Sequence, residues 1–295
     1  SNSICSQFIK QLFKAALFIS VVSLLIISAD VQAKIKAGVA KKDITDRSAG
    51  LVNDPLYVKA LVLDNGITKM AIITLDVVAI EEIGPIKAGY LAKVRSQIQE
   101  ELNIQASNIL INVSHCHGIV RADTDSLTVG AVKEALQNLV AVTIGSGSGY
   151  EDRIMENRRY WMKDGSQTDA RRAYSLPPDH EIAEIGKTDP EIGILRLNKL
   201  NGETLAVLYN FAVHPIEGVP NGGNTADIIG FASKVIEDNL KGSMALFLQG
   251  CGGDINPVNY KGLDNPTDAE PLGNMLGLSI LNALQNIQTT NDSEI

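Results

Sequence analysis

The sequence predicts an α/β protein with mixed β-sheets, flanking helices and a functional site at the carboxyl ends of strands. Three observations support this fold class. Short apolar segments of strand character alternate with longer segments of helical periodicity through residues 57–287. Two pairs of neighbouring strand segments are separated by short turn-forming stretches, which predicts antiparallel hairpins. Four apolar segments end in residues that can carry chemistry, a pattern typical of ligand-binding edges in open α/β sheets.

Composition and charge exclude several other classes of protein. A hydrophobic fraction of 45% with 20% charged residues in a chain of 295 residues provides an ample core and excludes a disordered protein. The 26 basic and 34 acidic residues give a net charge of −8, which argues against binding to nucleic acid. Aromatic residues make up 5% of the chain and there are three cysteines. These numbers argue against an aromatic stacking platform and a disulfide scaffold.

The first 33 residues have the three-part pattern of a secretory signal peptide. Lys10 and Lys14 form a basic flank, and an apolar run follows over residues 15–28. This run is short for a membrane span, which needs ~20 residues. Val31-Gln-Ala33 then supplies small residues suited to a signal-peptidase site.

This pattern predicts a secreted or periplasmic protein with a signal peptide over 1–33 and an α/β domain over 34–295. The alternative is an uncleaved membrane anchor at the same place. In an oxidising compartment Cys116 and Cys251 could form a disulfide if their Cα atoms lie within ~7 Å.

In the first half of the domain, each element follows from periodicity or turn chemistry. Asp64-Asn-Gly66 is a turn signal between two apolar segments and predicts a hairpin. Segments with mixed charge and a 3.6-residue period predict surface helices. In chain order, we expect strands over 57–63, 70–75 and 109–113, and helices over 83–102 and 126–142.

The second half begins with a polar stretch over 150–190 that predicts a long irregular connection of functional or mobile character. Thr225 or Asp227 is the expected cap of the helix that follows the second hairpin. The remaining expected elements are a hairpin over 191–200 and 205–213, a helix over 228–240, a strand over 245–248 and a helix over 272–287.

The ends of four strands carry the candidate site. Three of the four histidines in the chain lie at such ends, and the fourth, His180, is expected at the surface. The residues that follow the strands are Asp76, His115 with His117, His214, and Asp254 with Asn256.

His115 and His117 form a His-x-His pair. If the preceding strand continues through them, both imidazoles point to the same side, with Cys116 on the opposite face. Such a pair is a common zinc-binding arrangement, and His214 at a second strand end strengthens the metal hypothesis. The alternative is a pair of hydrogen-bonded loop histidines.

The segment 250–254 is a glycine-rich loop that could bring a ligand close to backbone N–H groups. It has no Gly-Lys-Ser or Gly-Lys-Thr, so nucleotide binding is not expected. Cys251 in this loop is either a nucleophile activated by His117 or, more often in such loops, a small buried side chain.

Several motifs in the same order resemble the catalytic domain of neutral ceramidases, zinc-dependent hydrolases that cleave the N-acyl bond of ceramide. The resemblance covers roughly residues 35–290 and implies a ceramidase-like domain. The motifs are Ala37-Gly-Val-Ala-Lys-Lys-Asp-Ile-Thr45, Asn112-Val-Ser-His115-Cys-His117-Gly, Phe211-Ala-Val-His214-Pro, Thr225-Ala-Asp227-Ile-Ile-Gly230-Phe-Ala-Ser and Gln249-Gly-Cys-Gly-Gly-Asp254-Ile-Asn-Pro.

The resemblance implies roles for individual residues. His115 and His214 correspond to zinc ligands, and His117 to a histidine that hydrogen-bonds the reacting group. Arg158 falls where the family has an arginine near the substrate, with Arg159 as an equal candidate. Asp254 belongs to the loop that presents the family's nucleophile.

The sequence departs from the family pattern in two places. Asn256 stands where characterised ceramidases have a catalytic serine, and an amide cannot act as that nucleophile. A metal-activated water could attack instead, with Asn256 orienting the substrate or donating to an oxyanion. The family also takes a glutamate and a tyrosine as zinc ligands from later sequence, so this domain is expected to be short at its C-terminus. The substitute ligands considered are Asp76, Glu217 and Asp227.

Three functions follow from these residues. The first is a secreted zinc-dependent hydrolase acting on a small-molecule or lipid amide such as ceramide, with peripheral contact to membrane lipid. The second is a non-catalytic relative that binds a lipid or glycan. The third is a cysteine hydrolase that uses Cys251 and His117.

Overall fold

A computed structural model describes residues 35–81, 83–171, 176–258, 260 and 264–291. The signal peptide predicted over 1–33 lies outside these residues. Among the helices in the described ranges, none combines the length and the apolar character needed to cross a membrane.

The described chain alternates strands and helices in the order expected of an α/β domain. The strands β1–β4 and the helices α1 and α2 come first: β1 is Lys36–Asp43, β2 Tyr57–Asp64, β3 Lys69–Leu75, α1 Tyr90–Leu102, β4 Ile109–Val113 and α2 Thr124–Gln137. The second half contains β5 Val140–Tyr150, β6 Met155–Asn157, β7 Arg159–Met162, β8 Gln167–Asp169, β9 Ile182–Ile185, β10 Glu191–Lys199, β11 Thr204–Phe211, α3 Asp227–Asn239, β12 Met244–Gln249, β13 Ile255–Pro257 and α4 Ala269–Leu284.

Eight strands form one mixed sheet in the order β12-β11-β10-β5-β1-β2-β3-β4. Neighbouring strands are antiparallel except for β3 with β4 and β11 with β12, which are parallel. The two halves of the sheet meet at β1 and β5, which pair over only two residues of each strand. Two small sheets, β13-β6 and β8-β7-β9, lie outside it.

The two end strands of the sheet, β4 and β12, contact each other. The Asn112 side chain joins them, because its Nδ2 donates to the Phe247 carbonyl at 3.0 Å and its Oδ1 accepts from Gln249 N at 3.1 Å. Further along β12, Lys59 Nζ donates to the Ala245 carbonyl at 2.8 Å, and Glu237 Oε1 accepts from Ala245 N at 3.1 Å. Side chains therefore satisfy the edge of β12, where a further strand would otherwise pair.

The sheet curls around an apolar interior. Buried side chains from both halves form one cluster there, including Ala37, Leu61, Leu197, Leu208 and Leu246. A fully buried leucine contributes about 1.5–3 kcal/mol relative to an exposed one. This cluster therefore holds the two halves together where β1 and β5 contribute little pairing.

Helices cover the outer face of the curled sheet in two pairs. The helices α1 and α2 pack over β1–β4 with Val94, Ile98 and Val132, and α3 and α4 pack over β10–β12 with Ile236 and Leu276. The pair α3–α4 packs closely. A Cβ on Gly273 would lie 2.5 Å from the Phe231 Cβ and 2.6 Å from the Ile228 carbonyl oxygen.

Both predicted hairpins, the strand over 109–113 and the helix predicted over 228–240 are confirmed. The predicted cap of that helix is wrong, because its N-cap residue is Ala226, which makes no side-chain capping hydrogen bond. The helix predicted over 83–102 begins only at Tyr90, because Gly84 and Gly89 adopt positive φ values of 83° and 86°. The end of the helix predicted over 126–142 is also wrong. The chain leaves α2 at Gln137 and enters β5 at Val140.

The sequence signal for β5 is weak because alternate positions along this strand are glycine. A Cβ on Gly145 would lie 2.0 Å from the Gln288 carbonyl oxygen, and one on Gly147 would lie 2.8 Å from Ile287. The glycines thus make room for the chain after α4, which removes the alternating apolar pattern. The stretch 150–190, predicted to be irregular, contains the short strands β6–β9.

The link between β4 and β12 gives a stability prediction. Asn112→Ala leaves the Phe247 carbonyl and Gln249 N–H without this partner, so the free energy of unfolding should fall by about 1–3 kcal/mol. Urea denaturation measures this change. The matched control is Asn210→Ala, which removes one exposed hydrogen bond to the Leu248 carbonyl of the same strand and should cost about 0.5 kcal/mol or less. Equal losses in the two variants would contradict a special role for Asn112.

Candidate functional site

His115 lies in a tight turn directly after β4. Its φ is 64°, in the left-handed region, and its backbone N–H donates to the Val77 carbonyl at 3.0 Å. The strand therefore does not continue through His115 and His117, and the expected strand alternation is wrong there. The two rings are nevertheless neighbours, with centroids 5.9 Å apart in an edge-on arrangement.

His115 and His214 meet ring to ring although they are 99 positions apart in the sequence. Their Nε2 atoms are separated by 3.0 Å. His115 Nδ1 lies 2.6 Å from the Val78 carbonyl oxygen, and His214 Nδ1 lies 2.9 Å from the Gly252 carbonyl oxygen. Because a carbonyl can only accept, both Nδ1 atoms carry a proton, and each ring directs its Nε2 towards the other; where both rings are neutral, two Nε2 lone pairs face each other.

Two lone pairs at this distance repel each other unless a cation or a proton lies between them. Histidines that bind a metal usually donate their other ring N–H to a carbonyl or carboxylate, as both rings do here. A tetrahedral zinc with two nitrogen ligands at ~2.0–2.1 Å separates them by roughly 3.3 Å. The His115–His214 pair therefore has the donor chemistry and nearly the spacing of two zinc ligands.

Burial keeps the neighbouring imidazoles neutral. It lowers the pKa of His214, although the hydrogen bond to the Gly252 carbonyl acts in the opposite direction, and the nearby charges of His115, Arg158 and His117 lower it to a smaller extent. The pKa of His117 is also lowered, by burial and then by His115. Neutral rings are the state in which histidine binds metals.

A cavity of about 460 Å³ lies beside this histidine pair. Its lining combines polar groups from four parts of the chain: His117 after β4, His214 after β11, Asn256 in β13, and two arginines near β6–β8. The lining side chains that can bind a ligand or transfer a proton are His117, Arg158, Arg171, His214, Asp227 and Asn256. The topology thus brings four of the predicted residues, His117, Arg158, His214 and Asn256, to one cavity.

Asn256 is 1% exposed and holds a defined orientation. Its Nδ2 donates to the Ala170 carbonyl at 3.2 Å. Its Oδ1 is buried without a hydrogen-bond partner among the described residues. The amide therefore offers the cavity an acceptor, whereas the sequence suggested a possible donor to an oxyanion.

The glycine-rich loop accommodates the chain's own backbone. A Cβ on Gly250 would lie 2.9 Å from the Phe211 carbonyl oxygen, and one on Gly252 would lie 2.9 Å from the Val213 carbonyl oxygen. The glycines allow the loop to pack against the exit of β11, which places the Gly252 carbonyl on His214.

Arg158 is held by the backbone on one side and by a carboxylate on the other. Its N–H donates to the Asp254 carbonyl at 2.9 Å, and its Nε lies 3.1 Å from Asp169 Oδ1. Burial lowers the pKa of the Arg158 guanidinium, although Asp169 acts in the opposite direction. Asp254 accepts from Asn157 Nδ2 at 3.0 Å and is not among the described residues that line the cavity. Arg159, the equal candidate, is absent from that lining as well.

Sequence reasoning missed Arg171. It lies just after β8, lines the cavity and contacts Asp169 with its Nε at 2.5 Å. No sequence motif marks it, because its position depends on how the small sheet β8-β7-β9 folds against β13.

The three carboxylates considered as further metal ligands lie at different places. Asp227 lines the cavity, and its carboxylate accepts from the backbone N–H groups of Gly218 at 2.7 Å and Ile228 at 2.8 Å. Glu217 is buried nearby, whereas Asp76 lines a separate cavity with Lys59. Among the described residues, no group of three or more His, Cys, Asp or Glu side chains is arranged to hold a metal.

The cysteines and His180 are not among the described residues that line the site cavity. Cys116 is buried as expected, but Cys251 is exposed, and both are free thiols. The conditional disulfide is therefore not formed. His180 is an exposed residue, as predicted, with 80% of its side chain accessible.

Comparison with solved structures identifies the architecture. The chain is similar to a ceramidase complexed with C2, with a TM-score of 0.66 and 16% identity over 85% of this chain and 44% of that one. It is also similar to neutral ceramidase from Pseudomonas aeruginosa, with a TM-score of 0.64 and 16% identity over 85% of this chain and 45% of that one. The fold is ceramidase-like. The chain spans less than half the length of these two proteins, and no protein-family model matches it.

Asp76 provides a pH-dependence prediction. Burial raises the pKa of this carboxyl to about 6, against a smaller opposing effect of Lys59. Because the folded-state pKa exceeds the unfolded one, Asp76 is protonated in the folded chain over part of the range in which it is ionised when unfolded. Its contribution to stability therefore falls as the pH rises from about 4 to about 6. The melting temperature of Asp76→Asn should therefore rise relative to that of the wild type as the pH increases from about 4 to about 6.

Thermal unfolding at pH 4, 5, 6 and 7 measures the difference. Asp179→Asn, at an exposed position, is the control and should show no such trend. A constant difference between Asp76→Asn and the wild type at all four pH values would contradict the raised pKa.

Proposed function

We propose that this chain hydrolyses the amide bond of an N-acyl lipid such as ceramide, with zinc as its metal and water as the nucleophile. The observation that carries the proposal is the His115–His214 pair, in which two Nε2 lone pairs converge while both Nδ1 protons are held by carbonyls. The ceramidase-like fold supports the choice of reaction. The cavity beside the pair supplies room for a substrate head group.

His115 and His214 would hold the zinc. A catalytic zinc site normally uses three protein ligands, so these two residues account for part of the set. Zinc in such a site polarises a carbonyl and lowers the pKa of water. The Val78 and Gly252 carbonyls fix the tautomer and orientation of the two rings.

The remaining cavity residues have separate tasks. A neutral His117 can accept a proton from the attacking water and deliver it to the leaving amine as the C–N bond breaks. Asn256 Oδ1 can accept a hydrogen bond from the water or from the substrate amide N–H. Arg158 directs guanidinium charge into the same cavity and can bind polar groups of the substrate.

Water is the proposed nucleophile because the described cavity offers neither a serine at position 256 nor a cysteine. Cys251 is exposed and does not line the cavity of His117 within the described ranges. A cysteine mechanism therefore lacks geometric support. We further propose that the protein acts after secretion, at the surface of membrane lipid, as the signal-peptide pattern and the lipid substrate class suggest.

The metal proposal predicts bound zinc in the purified protein. Elemental analysis should find about one zinc per chain, and both His115→Ala and His214→Ala should lose it. His180→Ala, at the exposed histidine, should retain it. Release of fatty acid from an N-acyl sphingosine should disappear in the first two variants and persist in the third. Binding of the lipid without turnover by the zinc-loaded wild type would instead support a non-catalytic relative.

The role of Asn256 gives a separate prediction. Asn256→Ala removes one acceptor from the cavity, so kcat/KM should fall about 10-fold, the equivalent of one hydrogen bond of ~1.4 kcal/mol. Cys251→Ala is the control and should keep wild-type activity. Loss of activity in Cys251→Ala, with Asn256→Ala unaffected, would favour the cysteine mechanism and contradict this one.

A further inference from the structure

Three arginines gather around one carboxylate at the wall of the site cavity. Asp169 Oδ1 lies 3.1 Å from Arg158 Nε and 3.8 Å from Arg159 Nη1, and Asp169 Oδ2 lies 2.5 Å from Arg171 Nε. Arg159 faces Asp169 because the two residues are register partners of β7 and β8. Arg158 and Arg171 instead line the cavity that contains His117 and His214.

Two carboxylates act on the Arg158 guanidinium. Besides Asp169, the acidic group that acts on Arg158 is Asp254, whose carboxylate also accepts from Asn157 Nδ2. Asp227 lines the cavity, but backbone N–H groups occupy its carboxylate. The charges that act on Arg158 are thus those of Asp169 and Asp254, together with those of its two arginine neighbours, Arg159 and Arg171.

Arg158 is poorly compensated for its burial. Its side chain is 11% exposed, and a buried charge needs well-formed hydrogen bonds to offset the loss of water. The contact with Asp169 is close but misaligned, because Arg158 Nε and Asp169 Oδ1 are both buried without a hydrogen bond in the described chain. Arg158 therefore retains donor capacity next to the histidines.

A guanidinium fork matches the oxygens of carboxylates and phosphates, and two forks on one wall favour an anion over a neutral amide. The neutral polar groups of a ceramide head group would leave the poorly compensated charge of Arg158 unmatched. The cavity of about 460 Å³ has space for a small charged head group beside the scissile bond.

We propose that Arg158 and Arg171 bind an anionic oxygen group of the substrate, so that the preferred substrates are N-acyl amides with a carboxylate or phosphate on the amine side. This inference rests on the proposed amide hydrolysis and narrows its substrate class. Arg158 and Arg171 are then specificity-determining residues, and both contact Asp169.

The test compares substrates that share one acyl chain and differ in the head group. N-lauroylglycine carries a carboxylate, N-lauroylethanolamine is a neutral analogue of similar size, and N-lauroylphosphoethanolamine carries a phosphate. The zinc-loaded wild type should show kcat/KM at least about 10-fold higher for one or both anions than for the neutral amide, the gain of one charge-assisted hydrogen bond. Comparison of the two anions identifies the head group.

Variants test whether the cavity arginines cause the preference for anionic amides. Arg158→Gln and Arg171→Gln should lower the ratio of anionic to neutral kcat/KM towards one, mainly through KM for the anion. Arg159→Gln is the matched control, because it removes a partner of Asp169 that does not line the cavity, and it should keep the ratio. If a glutamine variant fails to fold, Arg171→Lys keeps the charge but not the fork and should reduce the ratio partly.

The outcomes separate the two proposals. Equal kcat/KM for neutral and anionic amides would overturn the charge preference while leaving amide hydrolysis supported. If no amide is hydrolysed, the proposed function fails, and calorimetric binding of N-lauroylglycine and N-lauroylethanolamine decides the remaining question. Tighter binding of the anion that is lost in Arg171→Gln supports the arginine site, whereas equal or undetectable binding overturns it.

Discussion

The closure of the sheet at β12 is the constraint on which the site depends. Asn112 supplies both a donor and an acceptor to β12, and Lys59 and Glu237 satisfy Ala245 further along the same edge. Because β4 and β12 are the two ends of the sheet order, this contact brings the carboxyl ends of β4 and β11 to the same place. The histidines that follow these strands meet as a result.

Two backbone carbonyls then fix the orientation of the neighbouring histidine rings. The Val78 and Gly252 carbonyls hold the protons of the two rings on Nδ1, which directs the free lone pairs towards each other. Gly252 can approach His214 because the loop glycines leave room for the exit of β11. Asn256, on the strand that follows this loop, completes the wall with an acceptor. A single stretch of chain after β12 therefore orients one histidine and contributes to the cavity.

The sequence predicts much of this arrangement where the signal is local. Turn residues and alternating apolar segments predict both hairpins, and histidines at strand ends predict the region of the site. Contacts between residues that are far apart in the sequence leave no such local signal. The role of Asn112 depends on a strand 135 positions away, and the glycines of β5 are explained only by the chain that packs on them. Arg171 reaches the cavity through the fold of a small sheet that has no sequence signature. The His-x-His spacing predicted neighbouring rings, although a turn rather than a strand produces them.

We propose that His115 and His214 bind zinc through their Nε2 atoms. X-ray absorption spectroscopy at the zinc edge of the purified protein tests it most directly. We expect a spectrum with two imidazole ligands at ~2.0–2.1 Å, and no bound zinc in His214→Ala. Protein that binds no zinc under metal-replete conditions, or a zinc spectrum that His214→Ala leaves unchanged, would contradict zinc binding by this histidine pair.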